Sequence, residues 1–180
     1  MGQAEWARDL ARRLLEEPLP RRWAHTQGVA SQAEGLAAIL AESADLLAAA
    51  AWLHDIGYSP DLVVTRFHPL DGARYLRDIE QADERLCNLV AYHTCAAVEA
   101  KERGLEDTLS REFTPECEDL TEALIYCDMT TGPDGERVSV DERISEVITR
   151  YGPDHVVSRS IRRAATALGA AVEVTTRRLR

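Results

Sequence analysis

The residues best suited to chemistry in this sequence are four histidines and two aspartates, on the inner faces or at the ends of predicted helices. They are His25, His54, Asp55, His68, His93 and Asp128. The adjacent His54 and Asp55 follow the apolar run Leu46–Leu53, which is typical of a buried helix. An imidazole and a carboxylate are costly to bury unless they are paired or bind a metal. Because the chain has only five histidines, four at such positions favour a shared site.

This mixture of side chains indicates a divalent transition metal as cofactor. Neutral imidazoles together with carboxylates suit Fe, Mn, Ni, Co or Zn, whereas sites built only from oxygen suit Mg and Ca. Each residue also has a simpler explanation. A lone histidine such as His25 is more often a satisfied core residue than a ligand, His68 could cap a helix, and Asp128 could cap the following turn. The co-occurrence of all six favours the metal.

The elements that must position these residues are predicted to be helices. Alanine, leucine, glutamate and arginine dominate the composition while glycine and proline are sparse, which favours an all-α fold. Periodicity indicates about seven to eight helices. The expected elements are a first helix around 6–14, a second over 20–40, a third over 43–55, a fourth from 68, a fifth over 82–94, a sixth from 114, a seventh over 140–150 and a last from 154 on.

Local signals define several of the helix ends. Ser43 is expected to cap the third helix and Gly57 to stop it. Ser139 and Glu142 match a capping box for the seventh helix. The polar stretch Ala96–Cys117 is expected to be a solvated loop with some helix.

Size and charge limit the classes of function. The length of 180 residues suits one domain, and the net charge of −10 disfavours a nucleic-acid-binding role. The first residues, Met1–Trp6, show neither the basic segment nor the apolar core of a signal peptide, and we expect no stretch to reach the roughly 20 apolar residues that span a bilayer. The four cysteines form no CxxC pair and are expected to be reduced thiols. A cytoplasmic protein without membrane contact is therefore expected.

Three motifs occur in a fixed order along the chain. The first runs from Arg22 through Trp23 and Ala24 to His25, the second is Leu53–Gly57 around His54 and Asp55, and the third is Ala123–Asp128. In this order they resemble the HD-domain metal-dependent phosphohydrolase superfamily, from Arg22 to about Tyr151. The resemblance implies a single HD domain over 1–180, a helical bundle with a motif-bearing core at 22–151 and a C-terminal helix at 154–178.

The resemblance also implies a ligand set. His25, His54, Asp55 and Asp128 would bind one ion. In the binuclear branch two further histidines bind a second ion, and His68 and His93 match those positions, with Asp55 bridging. Small bacterial diiron enzymes that cleave diadenosine tetraphosphate share this order of ligands, although Tyr58 stands where that group commonly has lysine. The GYP signature of cyclic-di-GMP phosphodiesterases is absent.

The expected function is hydrolysis of a phosphate ester or phosphoanhydride, in a nucleotide or another small phosphorylated metabolite, by metal-activated water. Asp55 and His54 would act at the reaction centre, and Arg22 is a candidate clamp for substrate phosphate, or else a surface arginine. Two alternatives stay open: a diiron oxygenase of HD type, and a non-catalytic ligand-sensing domain. The sequence also leaves the oligomeric state open, a homodimer included.

Several other residues have weaker functional interpretations. Asp71 could orient a metal ligand, although a surface carboxylate is the simpler interpretation. Thr131 and Asp134 could line the substrate entrance, but turn chemistry explains their loop. His155 is expected to start a helix. The arginines of the last helix are expected to form a solvated or partner-facing stripe, and Trp23 and Trp52 are expected in the core.

Overall fold

The computed structural model describes residues 2–180 and is all-α, as predicted. Over these residues it has eleven α-helices and no β-strand, with one isolated bridge between Thr131 and Arg137. The count exceeds the predicted seven to eight because several short helices replace expected loops or continuous helices. The helices are α1 (Gln3–Leu15), α2 (Pro20–Gly35), α3 (Ala37–Leu40), α4 (Ala44–Leu53), α5 (His68–Asp78), α6 (Glu84–Ala91), α7 (Ala96–Arg103), α8 (Glu106–Glu112), α9 (Glu118–Met129), α10 (Val140–Tyr151) and α11 (Val156–Arg178).

Helix α4 forms the centre of the main core. It packs against α1, α2, α6 and α9, and six of its ten residues are buried, including Leu47 and Leu53. Trp23 of α2 stacks on Trp52 of α4 with ring centroids 5.5 Å apart, so both tryptophans pack in the core as predicted. Burial of this helix on most sides places its carboxyl end, and hence His54, inside the protein.

A second apolar cluster lies between α9, α10 and α11, around residues such as Met129, Val147 and Ile161. The capping box predicted for α10 is present: Ser139 accepts from the Glu142 backbone N–H, and the Glu142 carboxylate accepts from that of Ser139. Helix α10 therefore begins at a defined residue and presents a fixed face to α9.

The predicted helix 20–40 and helix 43–55 are wrong in detail. The first is broken at Leu36 into α2 and α3, and the second ends at Leu53. Ser43 makes no capping bond. Gly57 does not stop the helix, but lies in a short 3-10 turn so close to α5 that a Cβ there would lie 2.0 Å from the His68 carbonyl oxygen.

The predicted solvated loop Ala96–Cys117 is also wrong in part, because it contains α7 and α8. Ala100, Leu109 and Phe113 of this segment are buried in the main core. The arginines of α11 are exposed, as expected for a solvated stripe, and several of them also pair within the chain. Arg159 and Arg163 both pair with Glu102 of α7.

One stretch, Ala37–Tyr58, is long and apolar enough to cross a membrane by length and composition, against the expectation that none would be. It is not one helix, because Ala41 adopts a positive φ of 45° between α3 and α4. Its helix α4 is the central helix of the core, a position that explains its apolar composition without a membrane.

Candidate metal centre

All six residues singled out in the sequence converge at one place in the fold. His25 comes from α2, and His54 and Asp55 from the end of α4. His68 is the first residue of α5, His93 follows α6, and Asp128 lies near the end of α9. Their donor atoms form two groups, each within 4.8 Å: His25, His54 and Asp128 in one, and Asp55, His68 and His93 in the other.

Asp55 lies between the two groups and directs one carboxylate oxygen to each. Its Oδ2 lies 3.4 Å from Nε2 of His54 and 3.8 Å from Nε2 of His25. Its Oδ1 lies 3.3 Å from Nε2 of His68 and 4.0 Å from Nε2 of His93. A carboxylate in this position can be shared by two ions.

Three of the four imidazoles are oriented by backbone carbonyl groups. Nδ1 of His25 donates to Gly132 at 3.0 Å, Nδ1 of His54 to Ala51 at 2.8 Å, and Nδ1 of His93 to Val90 at 2.6 Å. Because a carbonyl only accepts, Nδ1 carries the proton, and in the neutral ring Nε2 presents a lone pair. Carbonyl bonds of this kind commonly fix the orientation of metal-bound histidines.

Apart from the Arg143 guanidinium, which lies 3.3 Å from Nε2 of His25, the Nε2 atoms face a carboxylate or one another. Nε2 of His25 lies 3.1 Å from Oδ1 of Asp128, and Nε2 of His68 lies 3.1 Å from that of His93. Nε2 of His54 is buried and has no hydrogen-bond partner among residues 2–180. Buried acceptors that face one another are stabilised by a cation between them. The residues present therefore fit divalent metal ions.

Burial and charge set the protonation of the histidines. Burial lowers the pKa of His25, His68 and His93, that of His93 to about 4, where the neighbouring His68 and His54 add to the effect. Burial also acts to lower the pKa of His54, but the two neighbouring carboxylates outweigh it and the pKa is raised. Three of the four imidazoles are thus neutral near pH 7, as metal ligands must be.

Both carboxylates are held ionised. Burial acts to raise the pKa of Asp55, yet Arg22 and His54 hold it well below its usual range. Asp128 shows the same balance: burial acts to raise its pKa, and the adjacent His25 is the largest of the effects that hold this pKa well below its usual range. The centre therefore combines buried anions and neutral imidazoles, the combination expected at a transition-metal site.

Thr94 holds Asp128 from the side opposite His25. Its hydroxyl donates to Oδ2 of Asp128, which leaves Oδ1 facing Nε2 of His25. Thr94 has a positive φ of 53°, rare for a β-branched residue. Strained backbone of this kind persists where the surrounding structure requires it, often at functional sites.

Arg22 is not a surface arginine. Nη1 donates to Oδ2 of Asp55 at 2.6 Å, and the guanidinium lies 4.0 Å from the centroid of the Tyr58 ring. Tyr58 in turn stacks on His68 with centroids 3.9 Å apart. Tyr58, at the position where the diadenosine-tetraphosphate-cleaving group has lysine, thus packs between Arg22 and the second ligand group.

Asp71 is not a surface carboxylate and does not contact a histidine of the site. It is buried and accepts bonds from the backbone N–H groups of Val64 and Thr65 and from the Thr65 hydroxyl. It orders the loop that leads into His68. This role was missed because its partners lie in a loop whose path the sequence does not reveal.

The remaining candidates have structural roles. Thr131 is buried and donates to the Cys127 carbonyl, and Asp134 pairs with Arg21 on the surface, so turn chemistry explains their loop. His155 caps α11 by accepting from the Val157 backbone N–H, as predicted for a helix-start residue.

A cleft that is partly open to solvent leads to the two groups. Sequence reasoning missed several side chains in its wall. Those that bear charged or strongly hydrogen-bonding groups are Tyr58, Thr94, Glu99, Arg143, Arg150 and Tyr151. Arg143, Arg150 and Tyr151 come from one face of α10, where a spacing of seven and eight residues after Arg143 was the signal available in the sequence. Two of the missed side chains are cationic, and the one anion among them, Glu99, is paired with Arg103. The two arginines therefore suit an anionic ligand.

The helical fold and the paired histidine–aspartate groups define a helical protein with a buried site compatible with two metal ions. Comparison with family models matches residues 22–129 to the HD domain. The chain therefore belongs to the HD domain family. Comparison with curated proteins and with solved structures gives no match.

Proposed function

We propose that this protein is a metal-dependent phosphohydrolase that uses two ions to cleave a phosphate ester or phosphoanhydride. The observation that carries the proposal is the position of Asp55, with one oxygen toward His25 and His54 and the other toward His68 and His93. The HD domain family suggests the superfamily of metal-dependent phosphohydrolases, which supports the reaction class.

Each residue of the site would have a separate role in binding the ions or orienting the water. His25, His54 and Asp128 would hold one ion, His68 and His93 the other, and Asp55 would bridge the two. Bound divalent ions supply Lewis acidity toward a phosphoryl oxygen and lower the pKa of water. Asp55 would orient the attacking water through its carboxylate, and His54 would fix that carboxylate from the adjacent position.

The cleft supports a small phosphorylated substrate. It reaches both ligand groups, and its wall carries cationic side chains beside them. Arg22 and Arg150 lie in its wall and can contact phosphate oxygens through planar guanidinium groups. A nucleotide or a similar phosphorylated metabolite suits the charge of this wall. The substrate class is consistent with a cytoplasmic enzyme that does not bind nucleic acid.

The test is formation of hydrolysis products (free phosphate, pyrophosphate or nucleotides, separated by chromatography) by the purified protein after EDTA treatment and reconstitution with Mn²⁺, Fe²⁺, Co²⁺, Ni²⁺ or Zn²⁺. The substrates are nucleotides, dinucleoside polyphosphates and simple phosphomonoesters. We expect turnover of at least one class, and loss of turnover and of metal in Asp55→Ala. Asp61→Ala is the matched control, because Asp61 is an exposed carboxylate six residues further on. Oxygen uptake without any hydrolysis product, or full turnover by Asp55→Ala, would contradict the proposal.

A further inference from the structure

A buried arginine lies against the first ligand group. The Nη2 atom of Arg143 is 3.3 Å from Nε2 of His25 and 3.5 Å from Oδ1 of Asp128. The residue is 5% exposed and lines the cleft. It lies outside residues 22–129, the range that matches the HD domain, so the family model does not assign it.

The hydrogen bonds of Arg143 leave part of its guanidinium unused. Nη1 donates to Glu146 at 2.8 Å, and Nη2 faces His25 and Asp128. Nε is buried and has no partner among residues 2–180. A guanidinium has five N–H donors and no acceptor, and a buried unpaired donor is costly. A ligand that supplies acceptor oxygens in the cleft would satisfy it.

The charge of Arg143 points to the same kind of ligand. A permanent cation beside atoms that would hold a metal ion repels that ion, so its presence is unfavourable for metal binding alone. The same charge attracts an anion that enters the cleft from the solvent side. Asp128 and Glu146 balance this charge in the metal-free protein. Once a metal ion neutralises Asp128, an anionic ligand in the cleft would take its place beside Arg143.

The fold holds Arg143 in place before any ligand arrives. It lies in the first turn of α10, directly after the Ser139–Glu142 capping box that defines the start of the helix. Glu146 accepts from one edge of the Arg143 guanidinium. The same carboxylate pairs with Arg150 at 3.3 Å, so Glu146 is itself held in place by a second arginine of α10. A donor that is already oriented loses less entropy when it binds.

We propose that Arg143 donates from its free guanidinium edge to a phosphoryl oxygen of the substrate, as a substrate-contacting residue supplied by α10. The inference rests on the proposed function and deepens it by naming a second phosphate contact. Arg22 already donates to Asp55 and stacks on Tyr58, whereas Arg143 approaches from the side of His25 and Asp128. The phosphoryl group would thus be held between arginines from α2 and α10.

Inorganic phosphate is the probe, and its binding to the Mn²⁺-loaded protein is measured by calorimetry. We expect Arg143→Met to weaken phosphate binding by about 10- to 100-fold, the usual size for hydrogen bonds to a charged group. We expect its affinity for Mn²⁺, titrated into the EDTA-treated protein, to stay equal or rise, because a positive charge beside the ligands is removed. Arg162→Met, an exposed arginine that donates only to the Pro153 carbonyl, is the matched control and should change neither value.

Two outcomes distinguish this inference from the proposed function. Unchanged phosphate binding in Arg143→Met, or a tenfold loss of Mn²⁺ affinity, would overturn the inference alone, the latter because Arg143 would then be positioning the metal ligands. Failure of the Mn²⁺-loaded wild type to bind phosphate would overturn both. If circular dichroism shows that Arg143→Met is unfolded, Arg143→Gln is measured instead, because glutamine keeps a polar group toward Glu146. Unchanged phosphate binding or a tenfold loss of Mn²⁺ affinity in Arg143→Gln would then overturn the inference.

Discussion

Nη1 of Arg22 lies 2.6 Å from Oδ2 of Asp55, so a buried cation is paired with the carboxylate that faces both ligand groups. Their side chains are only 14% and 5% exposed. Removal of one partner from a buried pair leaves the other charge uncompensated. The pair therefore stabilises the protein when no divalent ion neutralises Asp55.

Arg22→Met should lower the free energy of unfolding in EDTA by about 3–5 kcal/mol, as for other broken buried pairs. Urea unfolding in EDTA and in excess Mn²⁺ measures the effect, which should shrink with the metal. Arg21→Met is the matched control, because Arg21 pairs with Asp134 in solvent and its removal should change little. If Arg22→Met has the same free energy of unfolding in EDTA as the wild type, the buried charge of Asp55 does not need Arg22 to compensate it.

Thr94→Val should weaken metal binding, whereas Thr94→Ser should not. Valine keeps the shape but removes the hydroxyl that donates to Oδ2 of Asp128. Loss of a partner that orients a metal ligand commonly costs about 10- to 100-fold in affinity. Titration of Mn²⁺ into the EDTA-treated variants measures the difference. Equal affinities for the two variants would mean that the hydroxyl does not hold Asp128.

Gly57→Ala should destabilise the protein and displace His68. The added Cβ would meet the backbone of His68 and Gly72 at 2.0–2.8 Å, and backbone atoms cannot move aside cheaply. We expect a loss of about 1–3 kcal/mol, typical of overpacking, together with weaker metal binding at the second group. Gly169→Ala in α11 has open space around it and should be neutral or stabilising. A Gly57→Ala variant with native stability would contradict the close packing.

The low pKa of His93, about 4 in the folded state, predicts an acid-dependent loss of stability in the metal-free protein. The unfolded chain takes up this proton near pH 6.5 and the folded chain only near pH 4, so stability falls as the pH drops through that window. Urea unfolding in EDTA at pH 7, 6 and 5 should show a shallower fall for His93→Gln than for the wild type. Parallel pH profiles would show that His93 does not titrate in this way.

Local signals in the sequence predicted the elements that local chemistry determines. The capping box of Ser139 and Glu142 is an example, and the apolar run before His54 correctly predicted a buried helix. The segment Ala96–Cys117 was harder, because its two short helices bury only a few residues each and its polar surface resembles a loop.

The candidate site was predictable where motifs define it and not where only packing does. The convergence of His25 with Asp128, which are 103 residues apart, followed from the order of the HD motifs. Arg143 had no such motif, since its approach to His25 depends on how α10 packs against α9. Asp71 was misjudged for the same reason, because its partners at Val64 and Thr65 lie in an irregular loop.

Metal content per chain tests most directly the proposal that Asp55 joins two ion sites. The protein is reconstituted with Mn²⁺, freed of excess ion and analysed by atomic emission, with His68→Asn and His25→Asn beside the wild type. We predict two ions in the wild type, one in His68→Asn with the His25 group retained, and one in His25→Asn with the His68 group retained. One ion in the wild type, unchanged in His68→Asn, would contradict the binuclear site.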